Sequence, residues 1–244
     1  MRDVSDQVQW RTNRVLAALP REVSGRLVSQ LEPISLTLKQ VQYQPNGDIP
    51  YVYFPLTTVT SLVVRMQDGQ VAEVATVGKE GMVGLPVFLG AQTFSGQAFT
   101  QVSGEAVRMT ASSFKQEVQR GGALHEVLHL YTQALFTQIS QSAACNRLHS
   151  IDQRCARWLL MTQDRVGTEQ FSLTQEFLAQ MLGVRRAGVS EVASRLQKER
   201  LIQYSRGNIS VINRSGLEAT ACECYALIKQ EYDRLLPETR ERTT

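Results

Sequence analysis

The chain is predicted to be an α+β protein: an N-terminal antiparallel β-roll of jelly-roll type, a long dimerisation helix, and a C-terminal winged helix-turn-helix. Three observations predict this. Between Ile34 and Thr110 apolar residues alternate with period two, in short runs divided by turn signals. From Leu124 they recur every three or four positions. Residues 172–202, SLTQEFLAQMLGVRRAGVSEVASRLQKERLI, then carry the spacing of two short crossed helices. A chain of 244 residues, 43% of them hydrophobic, is long enough to give the roll and the C-terminal part a core each.

Near the start, Val15, Leu16, Leu19, Val23, Leu27 and Leu31 fall at helical spacing interrupted by Pro20, which predicts two short helices covering one end of the roll. The runs ISLTLKQVQY, PYVYFP, TVTSLVVRM and VAEVATV are rich in β-branched and aromatic side chains. Turn signals divide them at Pro45-Asn46-Gly47-Asp48 and Asp68-Gly69. A further pair, GQAFTQVSG and GEAVRMT, turns at Ser103-Gly104, so six to eight short strands form the roll. Gly121-Gly122 closes it. Leu124, Leu128, Tyr131 and Leu135, spaced 4, 3, 4, then read as a coiled-coil seam and are assigned to a homodimer interface, with Gln138, Ser142 and Cys145 as a weaker continuation. A break between Asn146 and Ser150 is the candidate hinge. Ser150-Ile151-Asp152-Gln153 reads as a capping box opening a helix whose stripe is Ile151, Cys155, Trp158 and Leu159. The expected domains are residues 1–120 for the roll, 121–148 for the dimerisation helix and hinge, and 149–244 for the winged helix-turn-helix.

Within 172–202, Leu178, Met181 and Leu182 share one helix face, Gly183 supplies the positive φ that ends that helix, and Ala179 permits a close crossing. Val189, Val192 and Leu196 are the buried stripe of the second helix. Its other face carries Arg185, Arg186, Ser190, Glu191, Ser194, Arg195 and Lys198, side chains that hydrogen-bond base edges or neutralise phosphates. Residues 201–204 and 209–212 read as the two strands of a wing, with Arg206 at its tip aimed at a sugar-phosphate backbone. Ser215-Gly216-Leu217-Glu218 reads as a capping box for a terminal helix with stripe Leu217, Ala221, Cys224 and Ile228; the tail ETRERTT is expected to fray.

Charge is distributed to match. The net +3 is small, but residues 172–215 hold seven Lys/Arg against three Asp/Glu, so the positive charge lies where a polyanion needs it. No run approaches the roughly 18 apolar residues that span a bilayer, and MRDVSDQVQW lacks a signal peptide's apolar core, so a soluble cytoplasmic protein without membrane contact is expected. Four cysteines, Cys145, Cys155, Cys222 and Cys224, do not make a disulfide framework. Cys222 and Cys224, taken as helical neighbours, point to opposite faces and are not paired as ligands. His125-Glu126-Val127-Leu128-His129 spells the HExxH of zinc proteases. Gly and His are absent at Thr132 and Leu135, where the longer pattern requires them, and no third ligand follows nearby. No catalytic residue, metal site or cofactor is assigned.

This order of parts resembles the Crp/Fnr family of bacterial transcription regulators. The resemblance spans nearly the whole chain and is most specific in LTQEFLAQMLGVRRAGVSEVASRLQKERLI, with further likeness in VYFP (52–55) and VGKEGMVGLPVFLG (77–90). It implies a homodimer reading a pseudo-palindrome in double-stranded DNA, an effector site in each roll beside the dimer helices, and contact with RNA polymerase. It places Thr174 and Gln175 on phosphates and Arg186, Ala187 and Glu191 toward bases. The positions that correspond to the family's cyclic-nucleotide pocket are Gly81, Met82, Val83, Phe94, Ser95, Ile139 and Ser140. No carboxylate follows Gly81 to hold a ribose, and Phe94-Ser95 stands where the cyclic phosphate requires Arg-Ser; Glu80 and Arg108 are the nearest charged substitutes. An effector other than cyclic AMP is therefore expected. The alternatives are a constitutive DNA-binding dimer without ligand, and a redox- or metal-responsive regulator using Cys145, His149 and Cys155. The iron-sulfur members' N-terminal cysteines are missing from residues 1–40, and the roll has no His or Cys for haem.

Overall fold

A computed structural model of the chain describes residues 10–205 and 207–238. Helices α1 (Arg14–Ala17) and α2 (Arg21–Val28) flank Pro20, whose ring permits the start of a helix but not its continuation. Buried Asn13 caps α1, its Oδ1 accepting from Val15 and Leu16 N–H, while its Nδ2 donates to the carbonyls of Pro55 and Gly81. One side chain thereby fixes the α1 start against the roll.

Seven strands make the roll: β1 (Glu32–Leu36), β2 (Val41–Tyr43), β3 (Tyr51–Pro55), β4 (Val59–Arg65), β5 (Val71–Val77), β6 (Gln97–Val102) and β7 (Gly104–Thr110). They pair antiparallel in two sheets, ordered β1-β7-β3 and β2-β6-β4-β5. The run 34–43 is not one strand. Lys39 adopts a positive φ of 65°, and the turn it makes sends β1 and β2 into different sheets. Helices α3 (Leu85–Phe88) and α4 (Ala111–Gln119) are additions that the alternating pattern does not predict. Phe114 of α4 packs on Phe54 at the centre of the roll.

Helix α5 (Ala123–Leu148) lies along the roll, and here the expected seam is corrected. Leu124, Leu128, Tyr131 and Leu135 are buried within this one chain, as are Gln138, Ser142 and Cys145. The Tyr131 ring covers Gly81, where an added Cβ would lie 2.3 Å from a ring carbon, and its hydroxyl donates to the Met82 carbonyl at 2.8 Å. Gln138 Nε2 donates to the Thr76 carbonyl. The 4-3-4 stripe thus faces the roll, and the apolar residues left outside are Leu130, Phe136, Ile139 and Leu148.

After extended His149, the Ser150 capping box forms with Gln153 and opens α6 (Ile151–Val166). There follow β8 (Gln170–Ser172), α7 (Gln175–Leu182), α8 (Arg186–Lys198), β9 (Ile202–Ser205) and β10 (Asn208–Val211). The wing is a three-stranded sheet ordered β8-β10-β9, because β8, too short to show alternation, pairs with β10. The terminal segment is two helices, α9 (Arg214–Thr220) and α10 (Cys224–Leu235). Asn213, not Ser215, caps the first, and extended Ala221 separates it from the second. Arg206 and all of the tail after Glu238 lie outside the described residues.

A buried polar network joins these parts. Arg165 of α6 pairs with Glu80 of the roll at 2.7 Å, both largely buried, and also donates to Gln138 of α5. Gln138 accepts in turn from the Tyr232 hydroxyl of α10. The Arg165 stem lies where a Cβ at Gly78 would fall, 2.6 Å away, so glycine is required there. Removing one member of such a pair strands a buried charge. Glu80→Ala is expected to cost about 3–5 kcal/mol of stability, read by urea unfolding; a decrease within about 0.5 kcal/mol would show that the pair is not closed in solution.

Candidate nucleic-acid interface

The helix pair is built by local chemistry. Thr174 caps α7, accepting from the Phe177 N–H at 3.1 Å, and Gly183 ends it in the left-handed region at φ 63°, from where the Val184 N–H returns to the Ala179 carbonyl. Leu178, Met181 and Leu182 bury against Val189, Val192 and Leu196, so α8 crosses on an apolar seam. Ser190 donates to the Gln175 amide oxygen at 2.7 Å and pins the α8 N-terminal half to the start of α7.

The contact residues assigned from the sequence are brought onto one surface. Thr174, Arg185, Arg186, Ala187 and Glu191 are exposed, while Gln175 and Ser190 are half-buried through their mutual bond. Arg186 lies 3.9 Å from Glu176, a loose pairing of two exposed side chains. Arg195 is placed differently. Both Asp152 oxygens accept from its guanidinium at 2.8 Å, so it clamps α8 to α6 and is not a free phosphate ligand. Position 206 is outside the described residues.

The surface is not isolated from the roll. An open groove of about 740 Å³ separates the start of α8, at Arg185, Ala187 and Gly188, from Gly69, Gln70 and Val71 of the β4–β5 hairpin. Beneath it the helices dock on the β4-β5-β6 face. Trp158 Nε1 donates to Glu73 at 2.8 Å, Gln101 donates to Thr162 at 3.1 Å, and Phe177 meets Phe99 edge-on. Burial pushes the Glu73 carboxyl up to about 7, against hydrogen bonds from Ser61 and Trp158 and the charges of Arg157 and Arg165.

The residues assigned to an effector pocket are not brought together. Met82 and Val83 are core, and Gly81 is covered by Tyr131. Phe94 packs edge-on against Tyr43, Ser95 is exposed, and Ile139 and Ser140 look outward from α5. Glu80 is held by Arg165. Arg108 bonds Glu32 and stacks on the Tyr51 ring. His125 and His129 lie on α5 with ring centroids 4.4 Å apart, each edge-on to Phe88.

The cysteine reading changes as well. Cys155 is sealed in the core, and burial pushes its thiol up to about 12. Cys145 and His149 instead meet Cys222 and Cys224. The objection that a CxC pair diverges fails because Cys222 precedes α10, in the non-helical link from α9. The i, i+4 spacing of Cys145 and His149 was the legible half of this signal.

Comparison with known proteins agrees with this geometry. Residues 153–220 match the family model of the Crp-like helix-turn-helix domain. Among solved structures, FixK2 from Bradyrhizobium japonicum is 16% identical with a TM-score of 0.68, covering 79% of this chain and 98% of that one. CLP, the c-di-GMP responsive global regulator of Xanthomonas campestris, is 14% identical with a TM-score of 0.63, covering 79% and 99%. A CRP-family transcriptional regulator from Thermus thermophilus is 17% identical with a TM-score of 0.62, covering 77% and 96%. At these identities the likeness is one of fold. No curated protein sequence matches the chain.

The docking surface has a pH dependence of definite sign. Docked Glu73 keeps its proton up to about pH 7, whereas a solvated glutamate loses it near 4.5. Its contribution to docking is therefore full below that lower value and is lost as pH rises through the higher one. Trp158 fluorescence, read in a Trp10→Phe background, is expected to shift toward a solvated indole as pH rises through about 7, and Glu73→Gln to abolish the shift. An unchanged pH profile in Glu73→Gln would count against the assignment.

Proposed function

We propose that this chain, a transcription regulator of the Crp/Fnr family by its Crp-like helix-turn-helix domain and its fold, binds a pseudo-palindromic operator in double-stranded DNA as a homodimer. One observation carries the reading: α8 holds its apolar stripe against α7 and turns Arg185, Arg186, Ala187 and Glu191 outward. Arg186 is suited to a guanine through O6 and N7, and Glu191 to a cytosine amino group. Thr174 and Gln175 sit at the positive end of α7, beside the path of a phosphate backbone. The function is one of binding, not catalysis, with RNA polymerase as a further partner on the family pattern.

The working units in this reading are the roll to residue 120, α5 to Leu148, and the winged helix-turn-helix from His149. No described helix is long and apolar enough to cross a membrane; a cytoplasmic site of action is part of the proposal on the family pattern. A modulated regulator is preferred to a constitutive dimer because α5 and α6 are joined only by extended His149 and the Ser150 cap, a short joint at which the helix-turn-helix part could be re-seated by an effector. The effector is one other than cyclic AMP: residues 81–95 present no cation for a cyclic phosphate.

The partner-facing stripe must then be the outward side of α5. His129, Thr132, Phe136, Ile139 and Ala143 repeat at 3, 4, 3, 4, and Phe136 is 66% exposed in the single chain.

Two measurements test this reading. Arg185→Ala with Arg186→Ala should abolish preferential capture of genomic fragments, and the slope of log affinity against log salt should fall by about 0.9 for each phosphate that is no longer neutralised. Retained capture by the folded double variant would sink the proposal. Phe136→Glu should yield monomers in light scattering, whereas a dimer as tight as the unsubstituted protein's would move the interface elsewhere.

A further inference from the structure

A side-chain cluster apart from the DNA-facing surface has the composition and shape of a metal centre. Cys145 lies in the last turn of α5, His149 follows it one turn later as the C-terminal cap, Cys222 enters from the link before α10 and Cys224 is the first residue of α10. Their ligand atoms all lie within 4.8 Å of one another. Cys145 Sγ is 3.4 Å from Cys222 Sγ, and Cys224 Sγ is 3.7 Å from His149 Nδ1. With metal–sulfur bonds of about 2.3 Å, the edges of a tetrahedral thiolate site are about 3.7 Å, so closing around an ion requires only small movements.

Two features beyond the ligands point the same way. His149 Nε2 lies 3.3 Å from a Glu223 carboxylate oxygen, leaving Nδ1 directed at the sulfurs. A carboxylate that takes the far N–H fixes the tautomer and raises the basicity of the ligating nitrogen. Arg154 and Arg157 are both buried, and their charges bear on Cys145. Neither has a carboxylate partner among the described residues: Arg154 donates to the Leu182 carbonyl, Arg157 to the Met161 sulfur, and the Nε of each is unbonded. A divalent ion held by three thiolates and a neutral imidazole carries one net negative charge. That charge is what two buried guanidiniums require.

We propose that Cys145, His149, Cys222 and Cys224 bind a divalent ion of the zinc class in a closed tetrahedral site that ties the end of α5 and the hinge to α10. Three soft sulfurs and one nitrogen select zinc over oxygen-seeking cations, and four protein ligands leave no position for a substrate. On binding, each thiol loses its proton to solvent and each sulfur donates a lone pair to the ion, with no change of oxidation state. Loading holds the hinge by its His149 ligand. The site therefore stiffens the joint at His149–Ser150; its consequence for DNA binding rests on the hinge proposed above, whereas ion binding itself does not.

The test uses the full chain, purified under reducing conditions. Elemental analysis is expected to find one zinc per chain, and exchange with Co(II) to give intense tetrahedral d–d bands with thiolate-to-cobalt charge transfer. Cys224→Ser and Cys145→Ser should lose the ion. Cys155→Ser should keep it, and Glu223→Gln should keep it with affinity weakened about 10- to 100-fold. His149→Cys, a fold-sparing variant, should retain Co(II) with stronger charge transfer. A reduced, folded protein that takes up neither zinc nor Co(II) overturns the proposal. So does an iron-sulfur chromophore in place of zinc, or a Cys145–Cys222 disulfide as the state of a protein that stays metal-free after reduction.

Discussion

The arrangement of this chain turns on one buried ion pair. Arg165 reaches from the DNA-binding domain into the roll to meet Glu80, and through Gln138 it also engages the long helix and the Tyr232 hydroxyl of the last one. A pair of this kind adds little to stability compared with apolar side chains of the same volume, because both ions lose their hydration. What it supplies is uniqueness of position: any other seating of α6 leaves a charge without a partner. Asn13 plays a comparable part at the other end, holding the first helix to Pro55 and Gly81.

Around that anchor the contact between domains is of a different kind. Glu73, Trp158, Gln101 and Thr162 meet through hydrogen bonds, the last three side chains buried, beside the edge-on contact of Phe177 with Phe99. The hinge is equally local: a helix ends at Leu148, His149 is extended, and Ser150 starts the next helix by capping it. A specific anchor, buried hydrogen bonds beside it and a short joint together define the seating of α6 on the roll. The Cys145–His149–Cys222–Cys224 cluster sits at the same joint, so the proposed metal would act there and not on Arg185, Arg186 and Glu191 of α8.

Much of this was legible in the residues, for reasons that can be named. Gly183, the Leu178-Met181-Leu182 triplet and the Val189-Val192-Leu196 stripe report backbone conformation and burial directly, and the helix pair followed from them. The strand runs of the roll were legible in the same way. Long helix α5 shows where periodicity stops informing. Leu124, Leu128, Tyr131 and Leu135 are apolar because they are buried, but spacing does not say whether the covering surface belongs to the same chain or another. The outward stripe proposed for the partner, diluted by His129 and Thr132, is the quieter pattern. Cys222 and Cys224 were misjudged because continuous helix was assumed across Ala221, and the effector residues because alignment transfers positions without the side chains that fill them. Arg195 looked like a phosphate ligand; nothing local announces that Asp152, 43 residues away, holds it.

The loop from Gly78 to Gly84 joins these observations. Gly78 makes room for the Arg165 stem, Gly81 lies under the Tyr131 ring, and Gly84 turns at φ 97°. Within seven residues, three positions refuse a side chain for three unrelated reasons, one facing each neighbouring element. Such a segment admits no side chain at these three positions without strain or displacement of a neighbour. A single carbon added at Gly78 would meet the Arg165 stem and one at Gly81 the Tyr131 ring, so the seating of α6 and that of α5 both hang on this one loop.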